Sequence, residues 1–158
     1  MTEKFQIIDM IPDFYSELQV AWDEYLVGEG KDLIWTGGLG TCLAVTLYDP
    51  SRKKGAMVHV TRMSWESKRL EPRMVVDNLL KKLNGSIRIN PKGLELTLAG
   101  EGLIKFEDER ISQFVKKRAE YYGIQIIGED LCRDYGRMVF LYCDTGLVEV
   151  CRTFKILR

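Results

Sequence analysis

Long apolar runs are missing from this chain. Stretches such as Met138-Val139-Phe140-Leu141-Tyr142-Cys143 fall far short of the about 20 residues needed to cross a bilayer. The opening Met1-Thr2-Glu3-Lys4-Phe5-Gln6 has no cationic flank leading into an apolar stretch. Neither export nor membrane insertion is therefore expected, and a cytoplasmic protein is. An excess of one charge is missing too. With 23 basic and 23 acidic side chains among 158 residues and a pI near 6.6, no field gathers nucleic acid or an anionic membrane. Histidine is reduced to His59, and the four cysteines, Cys42, Cys132, Cys143 and Cys151, show no C-x-x-C spacing. A structural zinc site needs three or four such ligands to converge, so no metal is expected. In a reducing compartment the cysteines are read as thiols. No repeat, low-complexity run or Pro/Gly/Ser linker divides the chain, so residues 1–158 are read as one domain.

What is present is a mixture of strand and helix signals. The N-terminal third is ambiguous. Phe14, Leu18, Ala21 and Tyr25 fit one face of a helix, whereas Tyr25-Leu26-Val27 and Leu33-Ile34-Trp35 around Gly28–Asp32 fit two short strands and a turn. Leu43–Tyr48 and Ala56–Thr61 read as a strand pair. Between them Asp49-Pro50 suits the first two positions of a type I turn over Asp49–Arg52. A helix is expected from Pro72 to Asn84-Gly85, and another from Asp108 to Tyr122 with Gly123 as its stop. Further strands are expected near Leu94–Leu98, Ile124–Ile127, Met138–Tyr142 and Leu147–Cys151, the last two joined by Asp144-Thr145-Gly146. Strands outnumber helices and hairpins recur, which defines an α+β fold with a sheet core flanked by helices.

One segment carries chemistry. Thr36-Gly37-Gly38-Leu39-Gly40-Thr41-Cys42 is no phosphate loop, for no Gly-Lys-Ser/Thr follows, and no dinucleotide fingerprint, since a strand comes next. It presents a thiol on a flexible backbone whose N–H groups can face a developing oxyanion. A thiol needs a base, and the chain has His59. With a four-residue turn over Asp49–Arg52, Tyr48 pairs with Lys53 and Cys42 faces His59, with Cβ atoms ~4.5–5.5 Å apart. With a seven-residue loop over Asp49–Gly55, His59 faces Val45 and lies ~10 Å along the strand from Cys42. A cysteine after glycines is also what a small buried hydrophobe looks like, and a lone histidine on a strand is often structural. Both readings stay open on the residues alone.

The segment from Leu33 to Pro50, with Thr36, Gly40-Thr41-Cys42 and Tyr48-Asp49, followed by Gly55-Ala56-Met57-Val58-His59, resembles the CheD family of chemoreceptor glutamine deamidases. That family shows T-x-G-L-G-S-C, a strand ending in Y-D, and G-G-x-x-H. Gly128-Glu129-Asp130-Leu131, Tyr135-Gly136-Arg137, Thr145-Gly146, Val148 and Val150 are similar to its closing E-D-L-G-G-x-x-G-R segment and final hairpin. Glu24-Tyr25-Leu26-Val27-Gly28 is similar to an early strand. The likeness spans roughly residues 20–150. Departures are Thr41 for serine, Arg62-Met63 for L-P after the histidine, Leu96–Gly102 for A-K-x-F-G-G, Glu107–Ile111 for I-G-x-R-N, and Cys132-Arg133 for Gly-Gly.

The resemblance implies a cysteine-hydrolase fold shared with cytotoxic-necrotizing-factor-like toxins. It implies Cys42 as nucleophile, His59 as general base and acid, and Thr36 as the group that positions the imidazole. Backbone N–H groups around Gly40, Thr41 and Cys42 would hold the oxyanion. It further implies glutamine side chains on the cytoplasmic helices of methyl-accepting chemotaxis receptors as substrate, no cofactor, and a CheC-type phosphatase as a second partner. Two rivals remain: a weakly catalytic module that docks on receptors or a phosphatase, and another cysteine amidohydrolase on the same scaffold. If His59 lowers the thiol pKa, Cys42 is expected to alkylate faster than the other cysteines.

Overall fold

The computed structural model describes residues 14–67, 71, 73–85, 91–102, 104 and 109–155. Nine strands and three helices are assigned among them. In chain order they are β1 (Ser16–Gln19), β2 (Tyr25–Glu29), β3 (Asp32–Thr36), β4 (Leu43–Asp49), β5 (Lys54–Val60), α1 (Arg62–Glu66), α2 (Met74–Asn84), β6 (Glu95–Gly100), α3 (Ile111–Tyr122), β7 (Gln125–Leu131), β8 (Tyr135–Tyr142) and β9 (Val148–Lys155). One sheet runs β1-β3-β8-β9 and the other β2-β5-β4-β6-β7. This is the expected α+β fold. No helix among the described residues is long and apolar enough to cross a membrane.

Strand alternation builds three layers. Leu43, Val45, Leu47, Ala56, Val58 and Val60 face Val76, Leu79, Leu80 and Leu83 of α2 and Ile111, Val115 and Ala119 of α3. The opposite face of the same strands presents Ala44, Tyr48 and Met57 to Ile34, Val139 and Leu141 of the other sheet. Central β4 is buried along its whole length, because both of its faces are covered. Gly85 and Gly123, both left-handed, end α2 and α3 as expected.

Several expectations need correcting. The helix through Phe14, Leu18 and Ala21 does not form: Ser16–Gln19 adds parallel to β3, and Leu18 turns toward the inter-sheet core. The alternative of two short strands around a turn holds, as β2 and β3, although the two belong to different sheets. The short α1 escaped the periodicity reading because five residues carry too little pattern; its signal is Thr61, whose hydroxyl accepts the Ser64 N–H. α3 begins at Ile111 with Arg110 as its N-cap. Pro72 and Asp108 lie outside the described residues.

The β4–β5 register matches neither alternative. Tyr48 pairs with Gly55 and Asp49 with Lys54, leaving Pro50–Lys53 as the loop. The Asp49 carboxylate stays in the strand and accepts from Ser51 N (2.9 Å), Ser51 Oγ (2.6 Å) and Arg52 Nε (2.6 Å). Lys53 turns left-handed at φ 49° to close the loop. His59 therefore faces Ala44, and Cys42 lies two residues earlier. Cys42 and His59 share a face as diagonal neighbours rather than opposed residues.

Candidate active site

The site is assembled at the end of β3, the start of β4 and the end of β5. Thr36 and His59 are both buried, at 1% exposure. Small residues make room for the imidazole: Ala44 faces His59 across one ladder and Ala99 across the next. Thr36 Oγ1 lies 2.7 Å from His59 Nδ1 and 3.0 Å from the Val20 carbonyl. The hydroxyl has one proton, and a carbonyl can only accept it. The proton therefore goes to Val20, and the hydroxyl oxygen accepts from His59 Nδ1–H. That fixes the tautomer and leaves a lone pair on Nε2, which is buried and has no hydrogen-bond partner. Burial lowers the His59 pKa to about 4, with the Asp23 charge pulling it back upward. At neutral pH the imidazole is an uncharged base.

Cys42 is half-buried in the loop before β4. Burial pushes its thiol pKa up and the Asp23 charge adds to this; the Arg62 backbone N–H and the Thr41 side chain act the other way. Nε2 takes no bond from the sulfur. The resting pair is thus neutral thiol and neutral imidazole. Such contacts often tighten only when substrate binds.

The glycines before Cys42 shape this loop. Gly38 is left-handed at φ 68°, a conformation open to glycine. The Gly40 N–H turns back on the Gly38 carbonyl at 3.1 Å, and the Gly40 carbonyl accepts from Gly102 N at 2.7 Å. In a trans peptide the next N–H points opposite to the carbonyl, so Thr41 N–H faces away from residue 102. Of the expected oxyanion donors, the Gly40 N–H is engaged within the loop. Cys42 O accepts from Glu101 N at 2.9 Å, and a Cβ on Gly100 would lie 2.2 Å from that oxygen. The Leu96–Gly102 segment, which departs from the family pattern, is therefore the backing of the cysteine loop.

A cleft of 620 Å³ opens onto His59 and Thr36 between Trp22, Trp35, Gly37 and Gly38; Cys42 is not part of its wall. Trp22 is 69% exposed at its rim. Asp23, beside Trp22, was not singled out in the sequence. Its backbone N–H donates to the His59 carbonyl at 2.6 Å. Its carboxylate accepts from Thr61 N at 2.9 Å, Thr61 Oγ1 at 2.8 Å and Ser64 Oγ at 2.5 Å. Only its place in the Trp22-Asp23-Glu24 turn could have signalled it.

The other thiols take no part. Cys143 is buried and pushed up to about 12 by desolvation; Cys132 and Cys151 are half-buried and unpaired. Arg137, fully buried, is held by Asp130 and by the carbonyls of Tyr135 and Cys132. Among the described residues no group of three or more His, Cys, Asp or Glu side chains could hold a metal ion.

A two-sheet α+β scaffold with a threonine-fixed histidine and a cysteine on the same face has the layout of a cysteine-hydrolase-like fold. No family profile matches the chain, but individual relatives do. It is 31% identical over 148 residues to the "Probable chemoreceptor glutamine deamidase CheD" of Pyrococcus abyssi, covering 85% of this chain and 90% of that one. It is 32% identical over 132 residues to the "Chemoreceptor glutamine deamidase CheD" of Thermotoga maritima, covering 78% and 83%. The chain belongs to this CheD family. Among solved structures, Neisseria meningitidis protein NMB0706, described as DUF152, superposes with a TM-score of 0.52 over 84% of this chain and 68% of that one. At 12% identity it shares the fold alone.

Proposed function

We propose that this protein is a protein-glutamine deamidase acting on chemoreceptors, with Cys42 as nucleophile, His59 as base and acid, and Thr36 as the group that fixes the imidazole. The observation that carries the reading is the Thr36–His59 contact, which leaves a neutral Nε2 lone pair on the face that Cys42 shares. When a glutamine side chain enters, Nε2 takes the thiol proton as Sγ attacks the amide carbon. The tetrahedral oxyanion is held by loop N–H groups, Thr41 N–H among them. Protonated His59 gives its proton to the amine, ammonia leaves, and a thioester remains. His59 then takes a proton from water, which attacks the thioester to release glutamate and free thiol. No cofactor enters this cycle.

Membership in a family whose relatives are named chemoreceptor glutamine deamidases supports receptor helices as the substrate. The reaction belongs in the cytoplasm, where the thiol stays reduced. A CheC-type phosphatase is the second partner this reading implies. Receptor cytoplasmic fragments incubated with the protein should show amide-to-acid conversion by mass spectrometry, and Cys42→Ala should show none. Conversion by Cys42→Ala would sink the mechanism. No conversion by wild type would favour a docking module.

A further inference from the structure

Asp23 joins three pieces of the site. Its N–H binds the carbonyl of His59 at the end of β5. Its carboxylate binds the N–H and hydroxyl of Thr61 and the hydroxyl of Ser64, which frames the first turn of α1. The backbone N–H of Arg62, next after Thr61, favours the Cys42 thiolate. One exposed residue thus ties the end of the imidazole strand to the first turn of α1.

The backbone points the same way. Ala21–Glu24 form a turn closed by Glu24 N to the Ala21 carbonyl at 3.1 Å, and Asp23 sits in it at φ 57°. Glycine suits that place better. A non-glycine residue held left-handed is strained and persists where surrounding contacts enforce it. Here those contacts are the carboxylate's own bonds.

We propose that Asp23 is a positioning residue of the thiol–imidazole pair, holding the end of β5 and the start of α1 in one frame and placing a negative charge beside both reacting groups. This rests on the reading of Cys42 and His59 given above. The groups that feel the charge are His59 on β5, Cys42 before β4 and Tyr25 on β2. Neighbouring charges are engaged elsewhere: the Arg62 guanidinium with Glu66, and Glu24 with Ala21 N. Burial pulls the Asp23 carboxyl upward, but bonds from Ser64 and Thr61 outweigh it and hold its pKa below the ordinary value. Asp23 is therefore charged wherever the enzyme works. It favours imidazolium, formed during attack, and opposes free thiolate at rest.

Two substitutions separate charge from clamp. Asp23→Asn keeps the shape and removes the charge; Asp23→Gly relaxes the turn and removes both. Both weaken or remove the bonds from Thr61 and Ser64, so the melting temperature of each is recorded and activities are compared per folded molecule. His59 is the sole histidine, so its NMR titration is a single curve, and Cys42 alkylation can be followed by peptide mass spectrometry. In Asp23→Asn the His59 midpoint should fall by on the order of 0.5 pH units, and the Cys42 alkylation profile should move to lower pH. In Asp23→Gly, kcat on a receptor fragment should fall roughly tenfold with KM unchanged. Unchanged titration of both His59 and Cys42 in both variants would overturn the proposal. If wild type converts no receptor, the deamidase reading fails, and the two titrations still decide the role of Asp23.

Discussion

On the helix side of the β4–β5 hairpin every inward position is aliphatic: Leu43, Val45 and Leu47 against Ala56, Val58 and Val60. On the side facing the second sheet, the same strands carry Ala44, Thr46, Tyr48, Met57 and His59, with Cys42 at the edge. Both faces are buried, so burial alone does not distinguish them. The first face gains from removing apolar area from water. The second gives up part of that gain to hold polar groups, each tied by a specific bond: Thr46 Oγ1 to Thr97 Oγ1, Tyr48 Oη to the Cys143 carbonyl at 2.8 Å, and His59 Nδ1 to Thr36. His59 Nε2 is the exception, buried and unpartnered. A buried polar atom without a partner is costly, and here its place marks where substrate chemistry is expected.

If this division is right, changes on the two faces fail differently. The largest effect is expected from His59→Ala, which should cut deamidation by 10²–10⁴-fold, the usual range for acid–base assistance, while the protein stays folded in circular dichroism. Leu79→Ala, on the helix that covers the aliphatic face, should cost about 2–5 kcal/mol in denaturant unfolding and leave kcat per folded molecule unchanged. A third test uses pH. The His59 pKa is depressed from 6.5 to about 4, so between those values the unfolded chain binds a proton that the folded one does not. Stability should therefore fall as pH drops through that window, by about 3 kcal/mol from this group. His59→Gln should flatten that slope, and an unchanged slope would contradict the neutral buried imidazole.

The smallest effect lies away from both faces. Cys132 and Arg133 both have φ 63° where the resembled family has glycines. Arg133→Gly should raise stability by about 1 kcal/mol, read as a higher denaturant midpoint.

The sequence carried much of this. α2, α3, the final hairpin and the strand pair around Asp49 were legible because periodicity and glycine stops are local signals. The glycine run, the single histidine and the family likeness pointed to Thr36, Cys42 and His59; the structure brings Thr36 to His59 and leaves Cys42 diagonal to it. Register was not legible, since Asp49-Pro50 suits more than one loop and a one-residue shift is decided by the Asp49 carboxylate and Lys53. Asp23 and the Gly100–Gly102 backing were invisible for another reason. Their roles consist of backbone and carboxylate bonds to residues distant in sequence, which leave no pattern in the chain itself.

The central claim is that Cys42 attacks the glutamine while His59 serves as its base. Acid quenching during turnover of a receptor fragment, followed by peptide mass spectrometry, tests it most directly. A glutamyl thioester should appear on Cys42, absent from Cys132, Cys143 and Cys151 and removed by hydroxylamine. Glutamate formation with no adduct on Cys42, persisting in Cys42→Ala, would contradict it.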